Sequence, residues 1–186
     1  MREILVATEE ILVESGLEQA TMAQIAERAG VAVGTLYNRF ADRDALIEML
    51  LAERRATILQ QLDDGMAALA TAGVREQLIA FFTVLFTHVE EHRSFMRLVF
   101  SKELGGKEGR EQMGRAMLER LGTIVKRGQR DKVLRRDTEQ AFLVTLLWSA
   151  KGYMQRDMYG LAPIAPAAAA RSLVTLFLDG AGREER

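Results

Sequence analysis

The stretch TMAQIAERAGVAVGTLYNRF, residues 21–40, holds two short helical patterns separated by a glycine. Thr21 and Gln24 have the spacing of a capping box, in which the two side chains satisfy free backbone N–H groups at a helix start. Gly30 stands where the backbone must leave that helix, a position that favours a left-handed conformation. A second helix is predicted from about Gly34 to Phe40, so residues 21–40 are predicted to form a helix-turn-helix.

The apolar residues of this stretch fit the packing of such a motif. Ile25 is expected to face the core of the domain, and Ala26 is small where the second helix crosses close to the first. Leu36 fills the space between the two helices, and Phe40 is expected in the core. The spacing of these residues therefore supports the helix-turn-helix prediction independently of the glycine.

The second helix carries polar residues that this core cannot accept. Thr35, Asn38 and Arg39 must face outward, and Gly34 leaves the start of the helix open to a phosphate. An exposed helix start with a hydroxyl and a guanidinium beside it suits a DNA groove. Tyr37 has two interpretations, since it either faces DNA or covers the edge of the core.

Residues 21–40 resemble the signature of the tetracycline-repressor (TetR) family of transcriptional regulators. The shared pattern is Thr, three residues, Ile-Ala, two residues, Ala-Gly-Val, two residues, then Gly-Thr-Leu-Tyr and a helix that ends in an aromatic residue. The resemblance covers about residues 2–50, and the remaining chain matches in length, helix order and helical character. It implies an all-α protein with a helix-turn-helix DNA-binding domain at residues 1–44 and a helical regulatory and dimerisation domain at 45–186.

The resemblance also implies which residues contact DNA. Thr21 would contact a phosphate, Thr35 and Tyr37 would bind the backbone, and Arg43 stands where the family usually carries a lysine. Arginine keeps that charge and adds a planar fork. Arg28 is a further basic candidate. The residues expected to lie near base edges are Val33, Gly34, Asn38 and Arg39.

Residues 45–186 are expected to be helical throughout. The whole chain has only two prolines, Pro163 and Pro166, and it lacks the alternating pattern of strands. Helices are predicted near residues 74–93, 95–104 and 108–126. Asp137, with Gln140 at capping-box spacing, predicts a helix to about Tyr159, and Pro166 predicts the start of a last helix that ends near residue 179.

The family resemblance implies a ligand cavity and a dimer in this region. The cavity candidates are adaptable apolar residues that suit a filled core equally well: Phe82, Phe86, Phe100, Met113, Met117 and Trp148. The last two helices are apolar over more than one face, which predicts a four-helix interface in a homodimer. Its candidates are Phe142, Leu146, Leu173, Leu176 and Phe177. The implied function is a repressor released from a palindromic double-stranded operator by a small hydrophobic effector.

Composition excludes several other classes of protein. The chain has no cysteine, hence no disulfide framework, thiolate metal site or cysteine nucleophile. No apolar run reaches the roughly 20 residues that a membrane span needs, and acidic residues interrupt the apolar N-terminus, so a signal peptide is not expected. We therefore expect a cytoplasmic protein without membrane association or cofactor. Residues 1–60 hold six basic and ten acidic residues, so long-range attraction to DNA should be weak.

Two further patterns leave alternatives open. HVEEH, from His88 to His92, fits the zinc-protease signature H-x-x-E-H. It allows a small metal-dependent enzyme or a regulatory metal site, although an exposed helix face is expected. The basic run 126–136 is interpreted as a solvated turn, with a second polyanion site as the alternative. A protein-interaction module on a helix-turn-helix scaffold is a third function, favoured by the acidic N-terminal part.

Overall fold

The computed structural model describes residues 1–101, 104–162 and 164–181. All regular elements in these ranges are helices, which confirms the all-α prediction. In chain order they are α1 (Arg2–Gln19), α2 (Met22–Arg28), α3 (Val33–Tyr37), α4 (Arg43–Ala68), α5 (Val74–Glu91), α6 (Arg93–Phe100), α7 (Lys107–Arg130), α8 (Gln140–Ser149), the 3-10 helix η1 (Ala150–Tyr159) and α9 (Pro166–Ala181).

The helices form two compact units that are not continuous along the chain. The first unit comprises Met1–Thr57 and His92–Arg110, and the second comprises Ile58–Glu91 and Glu111–Arg186. Helix α4 therefore contributes residues to both units. The domain boundary predicted after residue 44 stays a prediction.

The first unit has its own apolar core. Leu12 of α1, Ile25 of α2 and Leu36 of α3 are fully buried, as are Leu46 and Leu50 of α4. Phe40 is also buried, as the sequence predicted. Each short helix therefore contributes an apolar side chain to one cluster, and this packing stabilises α2 and α3, which are too short to be stable alone.

The second unit is built around α5. Its residues Leu78, Phe81 and Phe82 are at most 1% exposed. They pack in one apolar cluster with Leu121 of α7 and Val174 of α9. Burial on several sides explains why the sequence LIAFFTVLF is apolar on most faces. No helix in the described ranges is both long and apolar enough to cross a membrane.

Gly16 has a non-helical backbone with φ 76° and ψ 170°, so the range of α1 comprises two helical segments on either side of a break at this glycine. One predicted helix start differs from the structure. The predicted cap at Asp137 is wrong, because α8 begins at Gln140 after Glu139 and no side chain caps it. Asp137 instead accepts hydrogen bonds from Nε and Nη2 of Arg135 at 3.1 and 3.0 Å.

Candidate DNA-binding interface

The start of α2 is fixed by the capping box that the sequence predicted. The Thr21 Oγ1 atom accepts a hydrogen bond from the Gln24 backbone N–H at 3.3 Å, and the Thr21 N–H donates to Gln24 Oε1 at 3.0 Å. The Thr21 hydroxyl also donates to Gln24 Oε1 at 2.7 Å. A phosphate contact from this hydroxyl would require Gln24 to turn away, because the hydroxyl has one proton to donate.

The turn between α2 and α3 is a Schellman motif. Gly30 has φ 66°, and its N–H donates to the Glu27 carbonyl at 3.1 Å while the Val31 N–H donates to the Ala26 carbonyl at 2.9 Å. Ala26 is fully buried. The left-handed residue therefore turns the chain at the point where a small side chain leaves room for the second helix.

Helix α3 exposes the residues that the sequence predicted to face DNA. Tyr37 is 56% exposed and Val33 is 38% exposed, so Tyr37 does not cover the core edge. Thr35 is half-buried, and only Leu36 is buried within the helix. No side chain caps the start of α3. The other exposed candidates on and after this helix are Gly34, Asn38 and Arg39.

Arg28 is held by two carboxylates of α1. Its guanidinium donates to Glu14 at 2.9 Å from Nη1 and 2.7 Å from Nη2, and to Glu10 at 3.2 Å from Nη1. The hydrogen bond from Arg28 lowers the pKa of Glu14 below its usual value. The charge of Arg28 is therefore neutralised locally by two acids that lie four residues apart on one face of α1. This spacing is the only signal in the sequence for the pairing.

Arg43 is also engaged within the first unit. Its Nη1 donates to the carbonyl oxygens of Leu17 at 2.8 Å and Ala20 at 3.1 Å, and its Nη2 lies 3.4 Å from the Asp44 carboxylate. These carbonyls lie at the end of α1, where helical carbonyls lack partners within the helix. Arg39 differs from both, since it is exposed and has no ion-pair partner within the described residues.

The cavity candidates divide between the two units. Phe82, Phe86 and Met117 are buried in the core cluster of the second unit, and Met113 and Trp148 pack against that cluster. Phe100 ends α6 in the first unit and is not part of this cluster. The structure therefore brings together five of the six candidates, in a region that packs as a core.

The dimer candidates differ in exposure within one protomer. Leu176 is 74% exposed, Phe142 is 62% exposed and Leu146 is 47% exposed. Leu173 is half-buried, whereas Phe177 is 7% exposed and belongs to the core of its own protomer. Phe142, Leu146 and Leu176 thus form the exposed apolar set, and Phe177 serves internal packing.

The histidines of HVEEH do not share an exposed helix face, so that expectation is wrong. His88 lies on α5 and is 6% exposed, whereas α5 ends at Glu91 and His92 follows it. His92 Nδ1 lies 3.2 Å from Glu9 Oε1, and Glu9 also accepts a 2.6 Å hydrogen bond from Arg54. The described residues contain no group of three or more metal-binding side chains.

The basic run 126–136 mostly binds its own neighbourhood. Arg127 and Arg130 both contact Asp131, at 3.4 and 2.9 Å. Arg136 donates to the carbonyls of Gln129 and Arg130 at 2.7 and 2.8 Å. Residues 126–130 form the end of α7, and only residues 131–136 lie in the turn after it. The internal contacts of the run favour a solvated structural role over a second polyanion site.

Comparison with known proteins gives the same result for the N-terminal part. Residues 4–50 match the model of the tetR family of bacterial regulatory proteins. The chain is 33% identical over 100 residues to the HTH-type transcriptional regulator BetI of Cronobacter sakazakii, which covers 52% of this chain and 48% of BetI. The chain thus spans about half the length of the curated relatives it matches.

Solved structures extend the fold similarity to the whole chain. The transcriptional regulator FadR of Bacillus subtilis, solved in complex with stearoyl-CoA, has a TM-score of 0.80 at 18% identity, covering 96% of this chain and 98% of FadR. The TetR family transcriptional regulator PfmR of Thermus thermophilus has a TM-score of 0.72 at 24% identity, covering 100% of this chain and 98% of PfmR. At these identities the likeness establishes the fold.

Proposed function

We propose that the chain is a transcriptional repressor of the TetR family whose operator binding is controlled by a small-molecule effector, because residues 4–50 match the family model and the similar curated proteins include transcriptional regulators. The observation that carries this proposal is α3, which is held by a buried Leu36 and exposes its remaining side chains wholly or in part. The relatives are transcriptional regulators rather than enzymes, so the hydrolase interpretation of HVEEH has no support. A DNA partner supports a cytoplasmic location.

In this proposal α3 enters the major groove of DNA. Asn38 and Arg39 contact base edges, since Asn pairs best with adenine and Arg with guanine. Thr35 and Tyr37 donate hydroxyl hydrogen bonds to phosphates, and the uncapped start of α3 adds backbone N–H groups. Val33 and Gly34 allow close approach of the backbone to the bases.

The basic groups around α3 have different roles. Arg39 has no internal ion pair and is the free cation of the interface within the described residues. Arg43 and Arg28 position α2 and α4 against α1 through their internal contacts. With ten acidic and six basic residues among residues 1–60, binding depends on local hydrogen bonds more than on long-range attraction.

The operator is a palindrome because the protein acts as a homodimer. Phe142, Leu146 and Leu176 are exposed in the protomer, and burying such residues against a second copy would remove them from water. Two helices from each subunit, α8 and α9, form the interface. A two-fold dimer presents two copies of α3 to half-sites about 34 Å apart, one turn of DNA.

The effector binds in the second unit, near the apolar cluster of Phe82, Phe86 and Met117. That the related FadR fold was solved with stearoyl-CoA supports a ligand with a large apolar part. To move the dimer from mostly DNA-bound to mostly released, the effector must bind the released state about 10⁴-fold more tightly than the DNA-binding state, a difference of about 5.5 kcal/mol. Because this coupling is reciprocal, operator DNA must weaken effector binding by the same factor by which the effector weakens DNA binding.

Selection of bound fragments from random DNA by the purified protein tests this proposal. We expect enrichment of a palindrome with half-sites about one helical turn apart. The matched control is the double variant Asn38→Ala, Arg39→Ala. Both side chains are exposed, so the variant should keep its core intact but enrich no DNA sequence. Equal recovery of all fragments by the wild-type protein would contradict the proposal.

A further inference from the structure

Arg156 is an arginine buried in the second unit. It lies on η1 and is 5% exposed, although arginine is rarely buried without a charged partner. Its Nη2 atom forms an ion pair with Oε2 of Glu90 on α5. A buried guanidinium keeps its charge, so an anion must stay beside it.

The ion pair with Glu90 leaves half of the guanidinium edge unused. The Arg156 Nε atom is buried and has no hydrogen-bond partner in the described part of the chain. Arg120 in the same unit shows the complete arrangement, since its Nε and Nη2 donate to the two Asp63 oxygens at 2.8 and 2.6 Å. The Nε–Nη2 edge of Arg156 can therefore donate one more hydrogen bond, as it would to both oxygens of a carboxylate.

An aromatic series connects this guanidinium to the apolar core. The Arg156 Cζ atom lies 4.7 Å from the centroid of the Tyr153 ring. Tyr153 lies 4.8 Å from Phe86, and Phe86 lies 5.6 Å from Phe82, between ring centroids. A cation is thus placed at one end of an apolar aromatic row, an arrangement that matches a molecule with an anionic head and an apolar body.

Glu90 is a replaceable partner for Arg156. It lies in the last turn of α5, where the negative end of the helix dipole disfavours a carboxylate. Its side chain is 33% exposed, compared with 6% for Arg156. The carboxylate of Glu90 is thus accessible to water, whereas the guanidinium of Arg156 is buried and requires an anion beside it.

Resting on the regulatory function proposed above, we propose that Arg156 binds the carboxylate of the effector, which is an amphipathic monocarboxylic acid that displaces Glu90. The ligand's two oxygens accept hydrogen bonds from Nε and Nη2 together, which satisfies the donor that Glu90 leaves unpaired. The apolar body of the ligand packs along Tyr153 and Phe86. This ion-pair exchange couples ligand binding to the end of α5.

The variant Glu90→Gln gives the most direct test because it removes the competing carboxylate. Decanoate, below its micelle concentration, is the probe, and decanol is its uncharged match. Trp148 is the only tryptophan and packs against the core cluster, so its fluorescence reports binding. We expect Glu90→Gln to bind decanoate at least about tenfold more tightly than the wild type, because a buried unpaired charge strongly favours an anion. Decanol affinity should not change.

Loss-of-binding variants distinguish this role from a structural ion pair. Arg156→Lys keeps the charge and the pair with Glu90 but loses the planar fork, so decanoate affinity should fall about tenfold or more. Arg120→Lys is the matched control, since it removes the fork bound by Asp63 in the same unit and should leave decanoate affinity unchanged. Equal affinities of the wild type, Glu90→Gln and Arg156→Lys for decanoate, or no binding by any of them, would overturn the proposal.

Measuring operator binding with and without decanoate tests the role of Arg156 separately from the repressor function. We expect decanoate to weaken the wild-type protein's binding to selected DNA and to leave Arg156→Lys bound. A wild type that binds selected DNA but ignores decanoate overturns the assignment of Arg156 alone. A wild type that binds decanoate but selects no DNA overturns the repressor function on which the effector role rests.

Discussion

Helix α3 and the helix pair α8–α9 both leave large side chains in solvent, but the chemistry of those side chains is opposite. Around α3 the exposed residues are Tyr37, Asn38 and Arg39, with hydroxyl, amide and guanidinium groups. On α8 and α9 the exposed residues include large apolar side chains, and Phe142 and Leu176 are 62% and 74% exposed. A polar set of donors suits a DNA groove, whereas an apolar set needs a protein surface.

The helices that carry these two surfaces also differ in how they are anchored to the rest of their unit. Helix α3 is five residues long, and it is ordered by Leu36 and by the Schellman turn at Gly30. Helix α9 packs its other face on the second core through Val174 and Phe177. The exposed residues of α9 can therefore change with little effect on folding of the protomer, which makes the comparison testable by substitution.

Charging the apolar surface should have the largest effect. We expect Leu176→Glu to give a folded monomer, because the side chain is 74% exposed in the protomer but would be buried in the dimer. Loss of the second subunit should reduce operator affinity about 10²-fold or more, since both half-sites no longer bind together. Sedimentation velocity and DNA titration measure the two effects.

The matched control for this change is Thr175→Glu, which adds the same charge one residue earlier. Thr175 accepts a 3.3 Å hydrogen bond from Arg75, so a carboxylate there has a basic neighbour. This variant should remain a dimer. A wild type that sediments as a monomer at micromolar concentration would contradict the apolar-surface account.

Removing the polar groups of α3 should have the next largest effect. Arg39→Ala and Asn38→Ala should each cost about 1–3 kcal/mol of operator affinity and relax specificity at one base position. Thermal unfolding should not change, since both side chains are exposed. Fluorescence anisotropy with selected and single-base-changed DNA measures this, and an unchanged preference would place the base contacts elsewhere.

Arg43 tests whether a basic residue near α3 positions helices or binds phosphate. Its two hydrogen bonds to carbonyls of α1 lead us to expect that Arg43→Ala lowers the free energy of unfolding by about 1 kcal/mol. The slope of log affinity against log salt concentration should stay the same. A salt slope that is smaller in Arg43→Ala by about one per subunit would instead show that Arg43 binds a phosphate, as the family resemblance implies.

Glu14→Gln should have the smallest effect and the opposite sign. It removes one carboxylate from Arg28 and should raise DNA affinity severalfold at low salt, because the guanidinium charge is less neutralised. The matched control is Glu18→Gln, which removes the same charge from α1, whereas the carboxylates that pair with Arg28 are those of Glu10 and Glu14. An equal gain from Glu18→Gln would show a general charge effect.

The same pair has a pH dependence of definite sign. The pKa of Glu14 is lowered by its hydrogen bond with Arg28, so the folded state binds this proton less readily than the unfolded state. The contribution of the pair to stability is therefore present above the unfolded pKa and is lost as pH falls through the folded pKa. Acid unfolding of Glu14→Gln should lack this part of the pH dependence.

The helix-turn-helix could be predicted from sequence because its determinants are local. The Thr21–Gln24 box, the left-handed Gly30 and the buried Leu36 each follow from spacing within 20 residues, and all three are observed. The pattern left two interpretations for Tyr37, and its 56% exposure decides between them. The fold class also followed, since helical spacing and the scarcity of proline pointed the same way.

Side-chain partners that are distant in sequence could not be predicted. Arg43 binds carbonyls 23 and 26 residues away, and Arg156 binds Glu90 across 66 residues. The expected exposed face of HVEEH failed because His88 is buried at 6% exposure and α5 ends before His92. A spacing rule cannot show which of many charged residues is buried, whereas the structure identifies Arg156 directly.

The most direct test of the central claim, that α3 reads DNA, uses the absence of cysteine in the chain. Asn38→Cys creates a single thiol on the exposed side of the motif, to which a DNA-cleaving iron chelate can be attached. We expect cleavage within each half-site of the selected operator, while the same label at the exposed Gln112→Cys of α7 leaves the half-sites uncut. Uncut DNA with the Asn38→Cys label in a bound complex, or the same cuts from both positions, would contradict the account.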